Sequence, residues 1–394
     1  MKKFYNSLVF KLIVGIILGI IIGSFLPEEV VRIFVTFSTI FSSFLKFIIP
    51  FIILGFVVCG IADLTGNAGR LLAFTTALSY GSTILVGLFA YFVSKLLFPL
   101  FISSSASSVV GNPEEGMVSP YFSIPLEPMI EVTSAIVFAF IIGIGISYLR
   151  NSNKGDVLYR AFNEFQEIIK GVLEKIIIPF LPLYIIGTFA NITISGQIVS
   201  IATIFSKVFL TIFVLHWIVI FIQFLGASIV SKKNPITLIK NQIPGYVTAV
   251  GTQSSATTIP VNINCAKKNG VSRSIREFVI PLCSTIHLSG SITSLLCFSV
   301  AILMMNDMNS SFSVILPFIL MIGVAMVAAP GAPGGGVMAA LPFLPMIGIA
   351  SDSALASLMI ALYITQDSLG TAANVSGDNA IALIVDTYNK KISS

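Results

Sequence analysis

Long apolar runs constrain this chain more than any other feature of its sequence. A helix needs about 20 mostly apolar residues to cross a bilayer, and eight runs suit such helices. Charged residues make up 10% of the 394 residues and the mean hydropathy is +0.98, whereas soluble domains carry about 25% charged residues. We therefore predict an all-α polytopic membrane protein with about eight transmembrane helices. The runs cover residues 8–26, 30–60, 71–101, 131–149, 173–192, 204–230, 278–305 and 355–386.

The positions of lysine and arginine predict how the chain is oriented, because cytoplasmic loops are enriched in both. Lys2 and Lys3 precede the first run, and more basic residues lie in 150–170 and near the C-terminus. The loop 102–130 contains no lysine or arginine and carries three glutamates. We predict cytoplasmic termini and an external loop 102–130. The first apolar run is too long for a signal peptide, so we interpret it as a retained helix.

Charge and cysteine content exclude several other classes. The net charge of +5 is spread over short loops, which gives no support to a nucleic-acid partner. The four cysteines show neither metal-ligand spacing nor a disulfide framework. We expect them to be free thiols that pack as small apolar side chains. They are Cys59, Cys265, Cys283 and Cys297.

Two further apolar segments do not have the pattern of simple spans. Residues 243–263 are rich in serine and threonine around Pro260, and residues 312–348 are interrupted by AAPGAPGGG. The predicted orientation requires the first to enter and leave on the cytoplasmic side and the second on the outside. Both are then re-entrant helical hairpins of opposite topology, an inverted repeat typical of transporters with a central site. The alternative for 312–348 is two tight spans joined by a glycine-rich turn.

Both hairpin tips carry groups that suit a ligand. GTQSSATTIP at 251–260 offers short hydroxyls and backbone N–H groups that suit a carboxylate. These hydroxyls would equally serve to satisfy helix ends or join helices. GAPGGG at 331–336 permits close approach of the backbone to a ligand, since glycine lacks a Cβ atom. A hinge is the alternative, and no phosphate-loop lysine follows.

The last run contains DSLGTAANVSGD, in which four polar residues share one helix face. Asp367, Thr371, Asn374 and Asp378 follow one another at intervals of three or four residues. A carboxylate inside a span is costly and faces a partner, an ion or water. An aspartate with helix carbonyls freed near Gly377 would suit an alkali cation, and a second aspartate would suit an ammonium group. The structural alternative is an ion pair with Lys46, Lys95, Lys175 or Lys207.

The seventh run contains CSTIHLSGSITS at 283–294, where Gly290 permits local unwinding. His287 is one of only two histidines, and we interpret it as a hydrogen-bonded packing residue rather than a proton carrier. We assign His216, in the sixth run, a structural role. No catalytic triad, metal motif or nucleotide loop stands out, so the sequence does not predict an enzyme.

SSATTIP at 254–260, GAPGGG at 331–336 and DSLGTAANVSGD at 367–378, in this order, resemble the dicarboxylate/amino acid:cation symporter family, the glutamate transporter homologues. The resemblance covers nearly the whole chain in its pattern of spans. It implies a glutamate transporter-like fold, a homotrimer in the plasma (inner) membrane and an elevator-type mechanism with sodium as the co-transported ion. The implied parts are scaffold helices in 1–70 and 131–203, a transport domain in 71–101 and 204–386, the extracellular loop 102–130 and a cytoplasmic tail 387–394.

The resemblance also implies the residues that would hold substrate and ions. Asp367 would bind the substrate amine and Asn374 its carboxylate. The substrate site would comprise Gln253, Ser254, Ser255, Ser291, Ala332, Gly336, Asp367, Gly370, Thr371 and Asn374. One sodium would lie between Asp378, Asn374 and carbonyls near Cys283 and His287, and a second would use carbonyls of Thr285, Met326, Val327 and Ala329.

This sequence departs from the family pattern at two sites. Members that carry acidic substrates have an arginine three residues after the amine-binding aspartate or at the first tip, where this chain has Gly370 and Gln253. Many relatives read Asn-Met-Asp-Gly-Thr where this chain has His287 to Ser291, so a deep third sodium site loses its carboxylate and amide. Ser82 and Thr83 would line that place without a charge.

These departures most resemble the sodium/serine–threonine symporter branch. The sequence thus predicts sodium-coupled symport of small neutral amino acids, L-serine and L-threonine. The alternative within the family is an acidic amino acid or C4-dicarboxylate symporter. A channel and a membrane-embedded enzyme are the alternatives from other classes.

Overall fold

The computed structural model describes residues 8–64, 69–102, 118–130, 132–152, 154–196, 198–326 and 334–393. Every regular element within these ranges is a helix, which confirms the all-α fold. Three helical segments in these ranges are long and apolar enough to cross a membrane, and a pair bent by 51°, Asp156–Ile177 with Pro179–Ile194, would make a fourth. The eight predicted crossings therefore remain a prediction. The three segments are Leu71–Leu100, Ile201–Ser231 and Arg273–Met305.

Five helices from the first half of the chain pack on one another. Helix α1 lies against α6, while α2 contacts α4, α5 and α6. A π-helical turn, Leu173–Ile177, joins α5 to α6. Residues 150–170 were noted only for their basic side chains, and most of this segment belongs to the amphipathic helix α5. The bounds are α1 Leu8–Phe25, α2 Glu28–Leu64, α4 Val132–Asn151, α5 Asp156–Val172 and α6 Ile178–Ile194.

Glycines spaced by four residues allow α1 and α6 to approach closely. A Cβ atom at Gly19 would lie 2.7 Å from the Ile186 carbonyl oxygen, and one at Gly23 would lie 2.4 Å from the Ala190 carbonyl oxygen. These distances are shorter than any normal contact, so only glycine fits. Small residues at such spacing are typical of helix pairs in membranes.

The remaining helices form a second group around the last one. Helix α14 contacts α3, α7, α8, α9, α10 and α11, and α3 also packs against α10, α11 and α12. The division into scaffold and transport segments remains a prediction, since α14 also contacts α1 and α6 of the first group. The bounds are α3 Gly69–Leu97, α7 Ile198–Ser231, α8 Pro235–Thr252, α9 Ser255–Lys268, α10 Arg273–Ile286, α11 Ser289–Met305, α12 Phe312–Met326, α13 Gly335–Ala340 and α14 Ala354–Ser393.

The first predicted hairpin is a pair of packed helices, α8 and α9, and is longer than predicted. It extends over 235–268 instead of 243–263, because Asn234 caps α8 well before the apolar stretch begins. Gln253 adopts a left-handed conformation with φ of 54° and ends α8. The Ser254 hydroxyl then accepts a hydrogen bond from the Thr257 N–H group and caps α9.

The second predicted hairpin consists of α12, α13 and a 3-10 helix, Leu341–Ile347. Its two arms contact each other, since α12 packs against both α13 and the 3-10 helix. The tip, residues 327–333, lies outside the described residues. The re-entrant path of both hairpins through a membrane remains a prediction.

The structure corrects the position of two predicted helix breaks. The seventh run is broken at His287 and Leu288, which separate α10 from α11, rather than at Gly290. Helix α14, in contrast, continues without interruption through Gly377 and past residue 386 to Ser393. Carbonyl groups are therefore not freed by a break near Gly377, as the sequence had suggested.

The close packing of α1 on α6 predicts the effect of a larger residue at position 19. We expect Gly19→Leu to lower the thermal unfolding midpoint in detergent, because overpacking costs about 1–3 kcal/mol. Gly145→Leu on α4 is the matched control, since nothing lies within 4 Å of a Cβ atom there. Equal unfolding midpoints for the two variants would contradict the α1–α6 contact.

Candidate functional site

The candidate site lies along one face of α14. Asp367, Thr371, Asn374 and Asp378 are each at most 5% exposed. Helices α7 to α11 pack around α14, so these side chains face the interior of the second helix group. Two carboxylates and an amide inside an otherwise apolar core need partners close by.

Asn374 caps the broken seventh run. Its Oδ1 atom accepts hydrogen bonds from the N–H groups of Gly290 at 2.7 Å and Ser291 at 3.2 Å. Its Nδ2 atom donates to the Ser291 hydroxyl at 2.9 Å. The first-turn N–H groups of a helix have no partner inside the helix, and Asn374 satisfies two of them in α11. Ser291 and Asn374, both predicted substrate residues, are thus in direct contact.

Asp367 joins α14 to the second hairpin. Its Oδ2 atom accepts a hydrogen bond of 2.7 Å from the N–H group of Gly334, the residue before α13. A Cβ atom at Gly336 would collide with the Tyr363 hydroxyl and lie 3.4 Å from Ser291 Cβ. The structure therefore brings Gly336, Ser291 and the α14 face together.

Asp378 contacts His287 at the break between α10 and α11. Asp378 Oδ1 and His287 Nδ1 are 3.0 Å apart, and both side chains are buried. The other ring nitrogen of His287 lies 3.1 Å from Ser82 Oγ and 3.4 Å from Gln223 Nε2. Asp378 Oδ2 has no hydrogen-bond partner among the described residues. His287 is therefore held by hydrogen-bonding groups from three other helices.

Gly377 of α14 and Gly290 of α11 make these approaches possible. A Cβ atom at Gly377 would lie 2.4 Å from His287 Cε1 and 2.7 Å from Gln223 Oε1. A Cβ atom at Gly290 would lie 2.2 Å from the Gly370 carbonyl oxygen. A Cβ atom at Gly370 itself would meet only ordinary contacts of 3.6–3.7 Å with the Gly290–Ser291 backbone. Position 370 thus accepts a side chain, whereas positions 290 and 377 do not.

His216 has the structural role that its buried position in the sixth run suggested. Its Nε2 atom lies 3.0 Å from the Gly290 carbonyl oxygen and 3.3 Å from Ser294 Oγ. The side chain is fully buried. It joins α7 to the first turn of α11, beside the segment that Asn374 caps.

The first hairpin tip approaches α14 by packing. Ala249, near the end of α8, packs with Ala372 and Val375 of α14 in a small buried cluster. Gln253 and Ser255 are buried, and Ser254 is half-buried. Among the described residues, no hydrogen bond connects the side chains of Gln253 and Ser255 to Asp367 or Asn374.

The residues predicted to bind ions by their carbonyls are only partly described. The Cys283 carbonyl accepts a hydrogen bond from the His287 N–H group at 2.9 Å. Thr285 is exposed at the end of α10, and Met326 is buried at the end of α12. Val327, Ala329 and the substrate-site residue Ala332 lie outside the described residues. The second ion site therefore remains a prediction.

A separate polar cavity of about 200 Å³ lies between the two helix groups. It is formed by α2, α6 and the segment that begins α14. Two hydrogen bonds cross it, one from Tyr184 to Ser357 and one from the Ser42 hydroxyl to the Asp352 carbonyl. None of the α14 site residues lines this cavity. Its lining residues are Val35, Ser38, Thr39, Ser42, Ser43, Tyr184, Gly187, Thr188, Asn191, Asp352, Ala354 and Ser357.

Comparison with known families decides the identity of this chain. The model of the sodium:dicarboxylate symporter family matches residues 8–388. The chain belongs to this family. Its members are symporters rather than enzymes, so the enzyme alternative is excluded.

Individual relatives of the family differ in how much of them the chain covers. This chain is 27% identical over 360 residues to the serine/threonine transporter SstT of Acinetobacter baylyi. The aligned residues make up 88% of each chain. This chain is 30% identical to excitatory amino acid transporter 3 of Oryctolagus cuniculus, over 66% of this chain and 49% of that protein. It is 26% identical to neutral amino acid transporter A of Bos taurus, over 68% of this chain and 51% of that protein. The chain thus spans about half the length of the last two.

Two residues of the site did not emerge from the sequence. Tyr363 lies one helical turn before Asp367, so an extension of the polar stripe by four residues would have included it. Gln223 is the only side-chain amide within the run 204–230, and it reaches His287 and Ser82. A single amide side chain in an otherwise apolar run was the sequence feature that could have identified Gln223 as part of the site.

The geometry around Asp367 predicts how a neutral replacement would behave. In Asp367→Asn the amide oxygen still accepts the Gly334 N–H bond, so we expect the fold to persist. Binding of an amino acid such as serine should weaken roughly ten- to hundredfold, since a charge-assisted bond contributes about 1.5–3 kcal/mol. Calorimetric titration with serine would measure this. Asp307→Asn, in an exposed turn, is the control, and equal affinity in both variants would contradict the role of Asp367.

Proposed function

We propose that this protein is a sodium-coupled symporter that carries small neutral amino acids, serine and threonine, into the cytoplasm. One observation carries the choice of substrate. No lysine or arginine occurs between Arg276 and Lys390, nor between Lys240 and Lys267. These two stretches contain every predicted substrate residue. A second carboxylate on the substrate would find no cationic side chain in them, and burial of an unpaired charge is costly.

A zwitterionic amino acid suits the groups around α14. Its ammonium group would pair with Asp367, the carboxylate nearest to the second hairpin. Its carboxylate would lie near the first turn of α11 and the Ser291 hydroxyl, where the positive end of the helix dipole favours an anion. Serine and threonine add a hydroxyl that Thr371 or the Ser254–Ser255 tip would bind.

Sodium fits the environment of Asp378. Alkali and alkaline-earth cations prefer oxygen ligands, and the buried Oδ2 atom of Asp378 is such a ligand without a partner among the described residues. The Asn374 and Cys283 carbonyl oxygens would add further ligands. A second sodium would use carbonyls of Thr285, Met326, Val327 and Ala329. A sodium that crosses with a zwitterion gains about 2.3 kcal/mol per 100 mV of membrane potential.

The names of the relatives support this assignment and supply its alternative. The relative with the most complete overlap among those compared is a serine/threonine transporter, and a neutral amino acid transporter also matches. Excitatory amino acid transporters match at similar identity, so an acidic amino acid or dicarboxylate substrate is the alternative. The absence of lysine and arginine from residues 241–266 and 277–389 favours the neutral substrates.

We further propose that transport proceeds by an elevator movement within a homotrimer. The second helix group would slide against α2 and α6, with the first group held in the trimer scaffold. The polar cavity between the groups supports this proposal, because it leaves part of their contact unpacked, whereas protein interiors that do not move are close-packed.

Uptake into proteoliposomes tests the substrate and predicts the effect of one substitution. We expect serine and threonine to accumulate only with an inward sodium gradient, and aspartate to compete poorly. Gly370→Arg should weaken serine uptake and improve aspartate uptake, because the Cβ atom fits and the guanidinium can pair a carboxylate bidentately. Gly171→Arg, where a Cβ atom meets nothing within 4 Å, is the control. Efficient aspartate uptake by the unmodified protein would overturn the proposal.

The loss of the deep ion ligands predicts the coupling ratio. Ser289 and His287 replace the carboxylate and amide of the third sodium site in relatives, and a cation held by neutral groups far from water lacks electrostatic compensation. We therefore expect one or two sodium ions per serine. Reversal potentials of serine uptake in proteoliposomes measure this ratio, and three sodium ions per cycle would contradict it.

A further inference from the structure

One end of the second helix group carries a dense set of basic side chains, which we call the basic surface. It is formed by Lys232, Lys233, Lys240, Lys267, Lys268 and Lys390. These residues come from the α7–α8 linker, the start of α8, the end of α9 and the end of α14. All are exposed except Lys233, which is half-buried.

Hydrogen bonds hold these chain segments together at one surface. Lys233 Nζ donates to the Asn269 carbonyl at 2.5 Å, which joins the α7–α8 linker to the α9–α10 linker. The Ser272 N–H group donates to Asp386 Oδ1 at 3.1 Å, and Lys390 Nζ donates to Asp386 Oδ2 at 2.6 Å. The four segments are therefore neighbours in space.

Positive charge on this surface is poorly compensated. Asp386 is bound to Lys390, and Glu277 is bound to Arg273 at 2.9 Å. Burial lowers the pKa of Lys233, and the nearby charge of Lys390 lowers it further, while Asp386 acts in the opposite direction. The side chains of Lys232, Lys240, Lys267 and Lys268 form no ion pair with another described residue. An anion bound here would relieve this repulsion.

The charged segment of the first helix group between α4 and α6 has no such imbalance. This segment, from Arg150 to Lys175, contains five basic residues, and four acidic residues accompany them. A positive-inside bias alone would orient both groups without concentrating charge on one of them. The segment 150–175 therefore lacks the excess of positive charge that the basic surface carries.

Apolar residues border the basic surface and indicate the kind of partner. Ile236, Ile243 and Val247 are 59%, 48% and 62% exposed. They share one face of α8 with Lys240, because these positions are separated by four, three and four residues. An exposed apolar face with a lysine among its residues is typical of a helix at a lipid interface, where the lysine stem lies on the apolar surface and the ammonium reaches the headgroups.

We propose that the basic surface binds the phosphate groups of anionic phospholipids in the adjacent membrane leaflet. In the predicted orientation this is the cytoplasmic leaflet. Each lysine near an anionic membrane strengthens binding roughly fivefold, so four lysines acting together give a clear preference for anionic over zwitterionic lipid. The proposal does not depend on which amino acid the protein carries.

Lipid titration of the purified full chain tests this proposal. Native mass spectrometry would count the molecules of phosphatidylglycerol and phosphatidylcholine that bind to the protein in detergent. We expect the protein to prefer phosphatidylglycerol by about tenfold or more, given the contribution of each lysine. The combined variant K232Q, K240Q, K267Q and K268Q should lose this preference. These four side chains form no hydrogen bond to another described residue, so the fold should persist.

Two further variants keep the test specific. One control variant removes four positive charges from the segment 150–175 and should keep the preference for phosphatidylglycerol. It combines K154Q, R160Q, K170Q and K175Q. A second control replaces the four lysines of the basic surface by arginine, as K232R, K240R, K267R and K268R. It should also keep the preference for phosphatidylglycerol, because the positive charge is retained. The proposal is overturned if the unmodified protein shows no preference, if the surface glutamine variant keeps it, or if both glutamine variants lose it equally. Tighter binding of soluble polyglutamate than of phosphatidylglycerol would also overturn it, in favour of an acidic protein partner.

Discussion

A helix broken inside a membrane leaves N–H groups that neither water nor its own backbone can satisfy. In this protein, Asn374 supplies the missing partner at the break between α10 and α11, where one oxygen accepts two N–H groups. Asp367 has a similar function at Gly334, before α13. Both side chains belong to α14, which is unbroken. The continuity of α14 is therefore what permits breaks in its neighbours, and the same side chains that stabilise those breaks form the candidate site.

Close approach of backbones is the second requirement of this arrangement. Gly290 lies against the Gly370 carbonyl and Gly377 lies against His287. A methyl group at Gly290 would lie 2.2 Å from the Gly370 carbonyl oxygen, and one at Gly377 would lie 2.4 Å from His287 Cε1, so either would force these groups apart. Gly377 in DSLGTAANVSGD and Gly290 in HLSGS thus contribute by allowing polar groups to reach their targets, rather than by unwinding the helices that contain them.

Local spacing was sufficient to predict part of this structure. Apolar runs predicted the long helices, GTQSSATTIP predicted the tip of the first hairpin within residues 251–260, and intervals of three and four residues placed Asp367 to Asp378 on one face. The break at His287 and Leu288, the contact of Gln223 with His287 and the helix over 156–172 were missed. The break and the Gln223 contact depend on interactions between segments far apart in sequence. The helix over 156–172 was missed because its many charged residues drew attention away from its amphipathic period.

Charge balance links the proposed substrate to the proposed ions. In acidic-substrate relatives, the arginine offsets the second carboxylate of the substrate, and the deep sodium offsets the aspartate that binds it. With Gly370 and the proposed neutral substrate, this chain would have neither the arginine nor the second substrate carboxylate. With Ser289, it would have neither the deep aspartate nor the sodium that this aspartate binds. Asp367 and Asp378 remain as the carboxylates of the candidate site, and a zwitterion adds no net charge. Since an uncompensated buried charge is costly, two sodium ions would leave the proposed loaded site neutral. Two is also the larger of the coupling ratios expected from the loss of the deep ligands.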